Sequence, residues 1–255
     1  MTTDERQQRI LEYLRLEKNC KVSEIIALFD VTPATIRRDL THLEETGQIV
    51  RTHGHVHCVD QPTLSHFQMR KDHFFNENQA IAKVAASMVT PGDTVLFDSG
   101  PITYNIANAV KNLSDITIVT NSIPIISLLD PSQRNVMLTG GMFDFENMCT
   151  IGPDAETFLD NISASILFLE TTGIRGADGM TVISPFHAGI KRKMINCARK
   201  RVLVMNNSDL NSAGAILFAP FSVLDTLIIA HPIDDPVLYE QLHRDGVEVI
   251  VAIPS

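Results

Sequence analysis

From Asn76 to the end of the chain, short apolar runs alternate with helical patterns, and this alternation limits the fold more than any other feature. The runs are continuous in apolar residues, which is typical of parallel strands covered by helices on both faces. We therefore predict an α/β domain with a mostly parallel sheet. The predicted strands are 93–98, 115–120, 135–139, 166–170, 201–205, 225–230 and 247–251, and the predicted helices are 76–89, 102–112, 122–130, 153–162, 187–199 and 235–244.

The first 58 residues show a helical pattern that changes into a strand pattern. An apolar stripe indicates a first helix over residues 6–16. Ser23 is placed to cap a second helix, and Thr32 followed by Pro33 is placed to begin a third. Residues 48–58 alternate like two short strands. Three helices and a two-stranded ribbon predict a winged helix-turn-helix.

The start of the third predicted helix carries the side chains best suited to DNA. With Ile36 and Leu40 facing inward, the neighbouring basic and polar side chains point outward. Arginine can pair with guanine through two hydrogen bonds, and a helix N-terminus can bind a phosphate. The candidate DNA-binding residues are Ser23, Thr32, Pro33, Ala34, Thr35, Arg37, Arg38, Arg51 and His53. A protein-binding winged helix, or a plain three-helix capping domain with solvated arginines, fits the same pattern.

Composition excludes several classes of protein. The 255 residues are 44% hydrophobic and 20% charged, which excludes a wholly disordered chain. The sequence has no apolar run of membrane-spanning length, and its charged N-terminus lacks the apolar stretch of a secretory signal. The four cysteines are far apart and form no CxxC pair. We therefore predict a cytoplasmic protein with reduced thiols.

The net charge of −9 at first argues against DNA as a partner, but the charge is unevenly distributed. Residues 1–58 hold 8 Lys and Arg against 9 Asp and Glu, whereas the rest of the chain holds 13 against 21. The acidity therefore lies in the second part. We predict a DNA-binding domain over residues 1–58, a linker over 59–75, and a sensing and oligomerisation domain over 76–255.

Short motifs run through residues 6–56: Arg9-Ile10-Leu11, Val22-Ser23-Glu24, Val31-Thr32, Thr35-Ile36-Arg37-Arg38-Asp39-Leu40, Leu43-Glu44, Gly47 and Arg51-Thr52-His53-Gly54. With these motifs the segment resembles the N-terminal domain of the DeoR family of bacterial transcription regulators. The resemblance implies that residues 22–40 form the helix-turn-helix. The wing departs from the family, because His55-Val56 stands where a second glycine and an alanine are common.

A second series of motifs lies in residues 76–251: Ile81-Ala82, Ala85, Pro91-Gly92-Asp93, Asp98-Ser99-Gly100, Val119-Thr120-Asn121-Ser122, Gly140-Gly141, Gly152, Lys191-Arg192 and Met194. This part resembles the effector domain of the same family, which is similar to ribose-5-phosphate isomerase. The resemblance implies a Rossmann-like sensor domain. It also implies that a phosphorylated sugar or polyol derivative binds there and changes the affinity for DNA.

Three of these motifs follow predicted parallel strands, at the ends where open α/β sheets bind ligands. The loop at residues 98–100 also precedes a helix, whose N-terminal N–H groups can bind an anion. The candidate effector-binding residues are Asp98, Ser99, Gly100, Thr103, Asn121, Ser122, Gly140, Gly141, His187, Lys191 and Asn206.

Four positions depart from the resemblance in ways that alter this pocket. Pro101 removes an N–H donor, and His187 and Asn206 stand where acidic residues are usual. Asp209 replaces a lysine that could bind phosphate, which disfavours a dianion. We therefore expect an effector that is unusual, less highly charged or absent.

His53, His55 and His57 alternate along the wing, with Cys58 adjacent. On a strand the three imidazoles would share one face, and imidazole and thiolate are good ligands for zinc, nickel or copper. A polar wing surface beside phosphate explains the same pattern. In the absence of a second ligand cluster, we predict neither a metal site nor a cofactor.

These observations favour a ligand-responsive repressor that binds an operator in double-stranded DNA as a homo-oligomer, either a dimer or a tetramer. Repression, and a carbohydrate or polyol operon as its target, follow from the resemblance alone. An isomerase-like or deaminase-like enzyme with a DNA-binding segment is the alternative, but it would need positioned acids and bases. A regulator with a decayed pocket is a third candidate.

Overall fold

The computed structural model describes residues 3–17, 20–29, 31–46, 48–52, 55–58, 67, 74–130 and 135–254. The chain divides into two compact units, Met1–Leu64 and Ser65–Ser255. This division lies within the predicted linker, of which the structure describes Phe67, Phe74 and Phe75. Within the described residues, no helix has the length and apolar content that would let it span a membrane.

The first unit has the predicted winged helix-turn-helix, with one additional strand. Its elements are α1 (Thr3–Glu17), β1 (Cys20–Lys21), α2 (Val22–Leu28), α3 (Pro33–Glu45), β2 (Ile49–Thr52) and β3 (His55–Cys58). The three strands are antiparallel in the order β1-β3-β2. The apolar stripes of the helices meet in one core, whose fully buried members include Ile10, Leu14, Ile25, Ile36 and Leu40.

The two predicted helix caps have different outcomes. Thr32 caps α3 as predicted, since its hydroxyl oxygen accepts the N–H of Thr35 at 3.2 Å and Pro33 is the first helical residue. The prediction that Ser23 caps α2 is wrong. Strand β1 leads straight into α2, so Lys21 is the capping residue, and its N–H donates to the Glu24 carboxylate at 2.8 Å.

A seven-stranded parallel sheet forms the centre of the second unit. Its strands are β4 (Thr94–Phe97), β5 (Thr117–Thr120), β6 (Val136–Leu138), β9 (Ala164–Leu169), β12 (Ala198–Met205), β14 (Thr226–Ile229) and β15 (Glu248–Val251). They lie in the order β6-β5-β4-β9-β12-β14-β15, and all neighbours are parallel. Counted along the chain, the order is 3-2-1-4-5-6-7, which begins with the Rossmann order and reverses direction between β4 and β9.

Helices cover both faces of this sheet. They are α4 (Phe75–Ala86), α5 (Pro101–Val110), α6 (Ile123–Leu128), α7 (Pro153–Leu159), α8 (Pro185–Cys197) and α9 (Pro236–Arg244). Successive strand residues pack in opposite directions: Val95 and Phe97 contact the cluster under α4 and α5, whereas Leu96 contacts the cluster under α7, α8 and α9. The rings of Phe97 and Phe168 stack with centroids 5.7 Å apart. The predicted strands and helices are thus present, with ends displaced by a few residues.

Five short antiparallel strands complete the unit, and the sequence pattern did not predict them. They are β7 (Met142–Asp144), β8 (Cys149–Ile151), β10 (Gly173–Ile174), β11 (Met180–Val182) and β13 (Ile216–Ala219). Strand β7 pairs with β8, and β10, β11 and β13 form a separate small sheet. Each has only two to four residues, too few to show a period.

Candidate functional site

Helix α3 presents the face that the sequence predicted for DNA. Arg37 and Arg38 are exposed near its start, while Ile36 and Leu40 are fully buried. Thr32, Pro33 and Ala34 are also exposed, and Thr35 is half-buried. Neither arginine side chain has an ion-pair partner among the described residues. The two guanidinium groups are therefore available to phosphate or to base edges.

Asp39, the next residue of the same motif, holds the helix in place. Its carboxylate is 3% exposed and accepts two hydrogen bonds from Arg6 of α1, at 2.6 Å from Nε and 3.2 Å from Nη2. Gln7 adds a third at 3.3 Å. The pKa of Arg6 is raised, first by the hydrogen bond with Asp39 and despite burial. This fork-shaped pair fixes α3 against α1.

The wing is fastened to α3 by Arg51. Its guanidinium forms an ion pair with Glu44 and donates to the Thr41 hydroxyl at 3.1 Å. The hydrogen bond from Arg51 holds the pKa of Glu44 below its ordinary value. Arg51 thus already has partners within the unit, whereas the described residues provide no ion-pair partner for Arg37 or Arg38.

The other predicted DNA-binding residues of this unit and the wing histidines are only partly described. Ser23 is exposed on α2. His55 is half-buried on β3, where its backbone lies opposite Lys21 on one side and Thr52 on the other. His53 and the side chains of His57 and Cys58 lie outside the described residues, so the predicted histidine face stays a prediction.

The second unit contains a cavity of about 510 Å³, a usual size for a small-molecule site. Ser99 follows β4, and Glu170 and Thr171 follow β9, so the cavity opens where the strand order reverses. Open α/β sheets bind ligands at this point. The lining residues are Phe74, Ser99, Asp144, Glu146, Asn147, Glu170, Thr171, Thr172, Val182, Ile183, Ser184, His187, Lys191, Ser208, Asp209 and Ser212.

A buried ion pair lies at the base of the cavity. The Lys191 ammonium donates to the Asp98 carboxylate and, at 2.9 Å, to the carbonyl of Glu170. The same Asp98 oxygen accepts the N–H of Glu170 at 3.0 Å. The Lys191 and Asp98 side chains are 5% and 1% exposed. The pair therefore joins β4, β9 and α8 at the site and neutralises both of its own charges.

The side chain of Glu170 covers the start of α5. Its Oε1 accepts the N–H of Thr103 at 2.7 Å and lies 3.0 Å from the Thr103 hydroxyl. A Cβ added to Gly100 would lie 2.3 Å from this carboxyl group. Gly100 therefore gives Glu170 the space to approach the helix, and the first turn of α5 binds an internal carboxylate.

Three potential metal ligands meet at another wall of the cavity. His187 Nε2 lies 2.8 Å from an Asp144 oxygen, and the ligand atoms of Asp144, His187 and Cys149 all lie within 4.8 Å of one another. Burial would raise the pKa of Asp144, but hydrogen bonds from Asn147 and His187 and from backbone N–H groups hold it below its ordinary value. Burial raises the pKa of the Cys149 thiol to about 12. Carboxylate, imidazole and thiolate suit zinc, although an ion would have to displace the thiol proton.

Three of the predicted effector residues line the cavity: Ser99, His187 and Lys191. Asp98, Gly100 and Thr103 lie directly beneath it, in contact with Lys191 or Glu170. The remaining predictions are Asn121, Ser122, Gly140, Gly141 and Asn206, none of which belongs to the lining formed by the described residues.

Those five residues have other surroundings. Asn121 donates to the Thr150 carbonyl at 3.1 Å, and Ser122 bridges to Cys149, so both attach the end of β5 to β8. Gly141 has φ +112°, and a Cβ there would lie 2.5 Å from the Ile151 carbonyl oxygen. A Cβ at Gly140 would meet nothing within 4 Å. The Asn206 amide donates to Asn78 at 3.0 Å, and its neighbour Asp209 lines the cavity.

Three acidic residues of the cavity lining, Asp144, Glu146 and Glu170, were missed by the sequence analysis. Glu170 ends a predicted strand, and the rule that ligands lie beyond parallel strand ends could have found it. Asp144 lies on β7, which left no periodic signal. Its hydrogen bond with His187 depends on the tertiary structure.

Comparison with known proteins assigns the family. A family model described as the DeoR C terminal sensor domain matches residues 74–231, and one described as the DeoR-like helix-turn-helix domain matches residues 6–62. A protein of Escherichia coli O157:H7 named "Putative aga operon transcriptional repressor" is 29% identical over 98% of this chain and 94% of its own. "HTH-type transcriptional regulator GlpR" of Haloferax volcanii is 30% identical over 98% of each.

The solved ribose 5-phosphate isomerase A of Methanocaldococcus jannaschii is 13% identical, with a TM-score of 0.39 over 54% of this chain. This chain spans about half, 55%, of that isomerase. The sensor-domain match alone covers more than half of the present sequence. The chain therefore belongs to the DeoR family of transcriptional regulators.

Proposed function

We propose that this protein represses a carbohydrate or polyol catabolic operon, binds its operator through α3, and is released by a small-molecule effector in the cavity. The exposed pair Arg37 and Arg38, at the start of a capped helix, is the observation that carries this proposal. The proposed DNA contacts also include Ser23, Thr32–Thr35 and the wing residues Arg51 and His53. The E. coli relative, named "Putative aga operon transcriptional repressor", supports repression of an operon as the role.

The proposed assembly is a homo-oligomer, either a dimer or a tetramer. One winged helix contacts few base pairs, and specific affinity in such proteins comes from paired half-sites bound by a symmetric assembly. Because the proposed partner is chromosomal DNA, the proposed location is the cytoplasm.

The proposed role of the cavity is sensing and not catalysis. Proton transfer needs an acid or base that is positioned toward substrate. Asp98 is instead buried against Lys191, and Asp144 hydrogen-bonds with His187 and Asn147. We assign effector contacts to Ser99, Asp144, Glu170, His187 and Lys191. Turnover of a pentose or hexose phosphate at ordinary enzyme rates would overturn this part of the proposal.

The DNA contacts can be tested by substitution. Bound DNA is first mapped genome-wide, and fluorescence anisotropy on the recovered operator then compares wild type with Arg37→Ala and Arg38→Ala. Each variant is expected to bind about 5- to 150-fold more weakly if its arginine contacts a base, equivalent to about 1–3 kcal/mol. The control Lys83→Ala removes an exposed positive charge from α4 in the other unit and should keep wild-type affinity. Wild-type binding by the Arg37→Ala/Arg38→Ala double variant at physiological salt would refute the docking.

A further inference from the structure

The N-terminus of α5 is the part of the cavity best suited to bind an anion, but in this chain the Glu170 carboxylate already occupies it. The first N–H groups of a helix have no partner within the helix, and they attract phosphate or carboxylate. Pro101 has no N–H to offer, and the N–H of Thr103 is taken by Glu170 at 2.7 Å. A phosphate at this position would therefore compete with a carboxylate that belongs to the protein.

The space at the helix start is filled as well. Glu170 is 2% exposed, and its carboxyl carbon and both oxygens lie within 2.4 Å of where a Gly100 Cβ would stand. Glu170 follows β9, the strand next to β4, and its side chain lies directly against the first turn of α5. A phosphate could reach the N–H of Thr103 only if Glu170 moved away.

The remaining charges of the lining also oppose an anion. Among the described residues, four carboxylates line the cavity, those of Asp144, Glu146, Glu170 and Asp209, together with one ammonium, that of Lys191. That ammonium is already paired with Asp98. Like charges repel strongly where water is partly excluded, so each carboxylate lowers the affinity for a dianion.

The uncharged part of the lining suits a ligand rich in hydroxyl groups. Hydroxyl-bearing residues line the cavity from several loops, namely Ser99, Thr171, Thr172, Ser184, Ser208 and Ser212. The hydroxyls of Thr171, Thr172 and Ser212 already donate to backbone carbonyls, but their oxygens can still accept a hydrogen bond from a ligand hydroxyl. We propose that the cavity binds a polyhydroxylated ligand without a phosphate group, and that Glu170 occupies the place of the phosphate at the start of α5. This inference rests on the proposed function in that it takes the cavity as the effector site.

Removing the Glu170 side chain tests the inference, because it should allow the cavity to bind phosphate. Isothermal titration calorimetry with inorganic phosphate and with ribose 5-phosphate compares wild type, Glu170→Gly and Glu146→Gln. Glu146→Gln is the matched control, because it removes one carboxylate charge from the same cavity without opening the start of α5. We expect saturable binding to Glu170→Gly, and no saturable binding to wild type or Glu146→Gln at ligand concentrations up to about ten times the Kd of Glu170→Gly.

Two further measurements keep the result decisive. Thermal unfolding and operator binding of each variant confirm that it is folded, and Glu170→Ala replaces Glu170→Gly if the glycine variant unfolds. Glu170→Gln keeps the bulk of the side chain and should not gain phosphate binding. Three results would each overturn the inference. They are an equal gain of phosphate binding in Glu146→Gln and Glu170→Gly, no gain in either Glu170→Gly or Glu170→Ala, and tight binding of ribose 5-phosphate to wild type. Because phosphate binding is measured without DNA, a failure of operator binding would refute the repressor function separately.

Discussion

Replacing Lys191 by methionine should destabilise the second unit strongly. The substitution removes the ammonium but leaves the Asp98 carboxylate, whose side chain is 1% exposed, without its cation. Removing one partner of a buried ion pair typically costs about 3–5 kcal/mol, because the other charge stays buried and uncompensated. In a domain of this size each kcal/mol lowers Tm by about 2–4 °C. The expected fall is therefore about 6–20 °C.

The same helix supplies a matched control. Lys193 also forms an ion pair, with Asp160, but these side chains are 37% and 52% exposed. Solvent screens exposed pairs, whose contribution is about 0–1 kcal/mol, so Lys193→Met should lower Tm by at most about 4 °C. Both variants lose one positive charge from α8, so the difference between their Tm values measures the effect of burying the ion pair.

Differential scanning calorimetry measures both transitions, and a third variant tests the cause. Asp98→Asn combined with Lys191→Met removes both charges and should recover most of the lost stability, since buried pairs can be replaced by neutral groups at little cost. Equal Tm values for Lys191→Met and Lys193→Met would refute the reasoning. A double variant no more stable than Lys191→Met would show that lost packing, and not an uncompensated charge, is responsible.

Three other predictions concern local structure. Thr32→Ala should cost the first unit about 1 kcal/mol in urea unfolding, because the Thr35 N–H loses the capping hydroxyl and keeps only the Thr32 carbonyl as acceptor; an unchanged midpoint would contradict the cap. Gly141→Ala should lower stability by about 1–3 kcal/mol, because φ is +112° and the Ile151 carbonyl is too close, whereas Gly140→Ala, which meets nothing, should be nearly neutral in the same assay. The Cys149 thiol, with its pKa raised to about 12 by burial, should resist iodoacetamide in the folded protein at pH 8. The unfolded thiol ionises from about pH 8.5, so the stability from Cys149 is complete below that pH and is lost as the pH rises toward 12. Cys149→Ser should flatten this alkaline decline, and an unchanged decline would exclude the thiol as its source.

The parallel sheet could be predicted because its strands are buried on both faces. Each central strand contains a continuous apolar run, such as residues 166–169, bounded by helical patterns, and this signal is local in the sequence. The buried stripe of α3 was predictable for the same reason, since Ile36 and Leu40 recur at helical spacing and are fully buried. The contacts of α3 with DNA stay a prediction.

The cavity was less predictable because it depends on distant residues. Ser99, Asp144 and Glu170 come from three loops that only the folded sheet and the short strand pairs bring together. The rule for strand ends selected Ser99 but gave equal weight to Gly141, whose glycine serves the close approach to Ile151. Ser23 failed as a cap because Lys21 pairs with His55, a contact 34 residues away in the chain.

Neighbouring positions of helix α3 have different roles. Ile36, Asp39 and Leu40 hold it to the rest of the unit, while Arg37 and Arg38 between them contact neither the core nor a carboxylate in the described part of the chain. The exposed pair can therefore be exchanged without loss of folding stability, since surface substitutions usually change it by less than about 0.5 kcal/mol. Under the proposed docking, operator preference can therefore change through Arg37 and Arg38 while Ile36, Asp39 and Leu40 keep the helix in place.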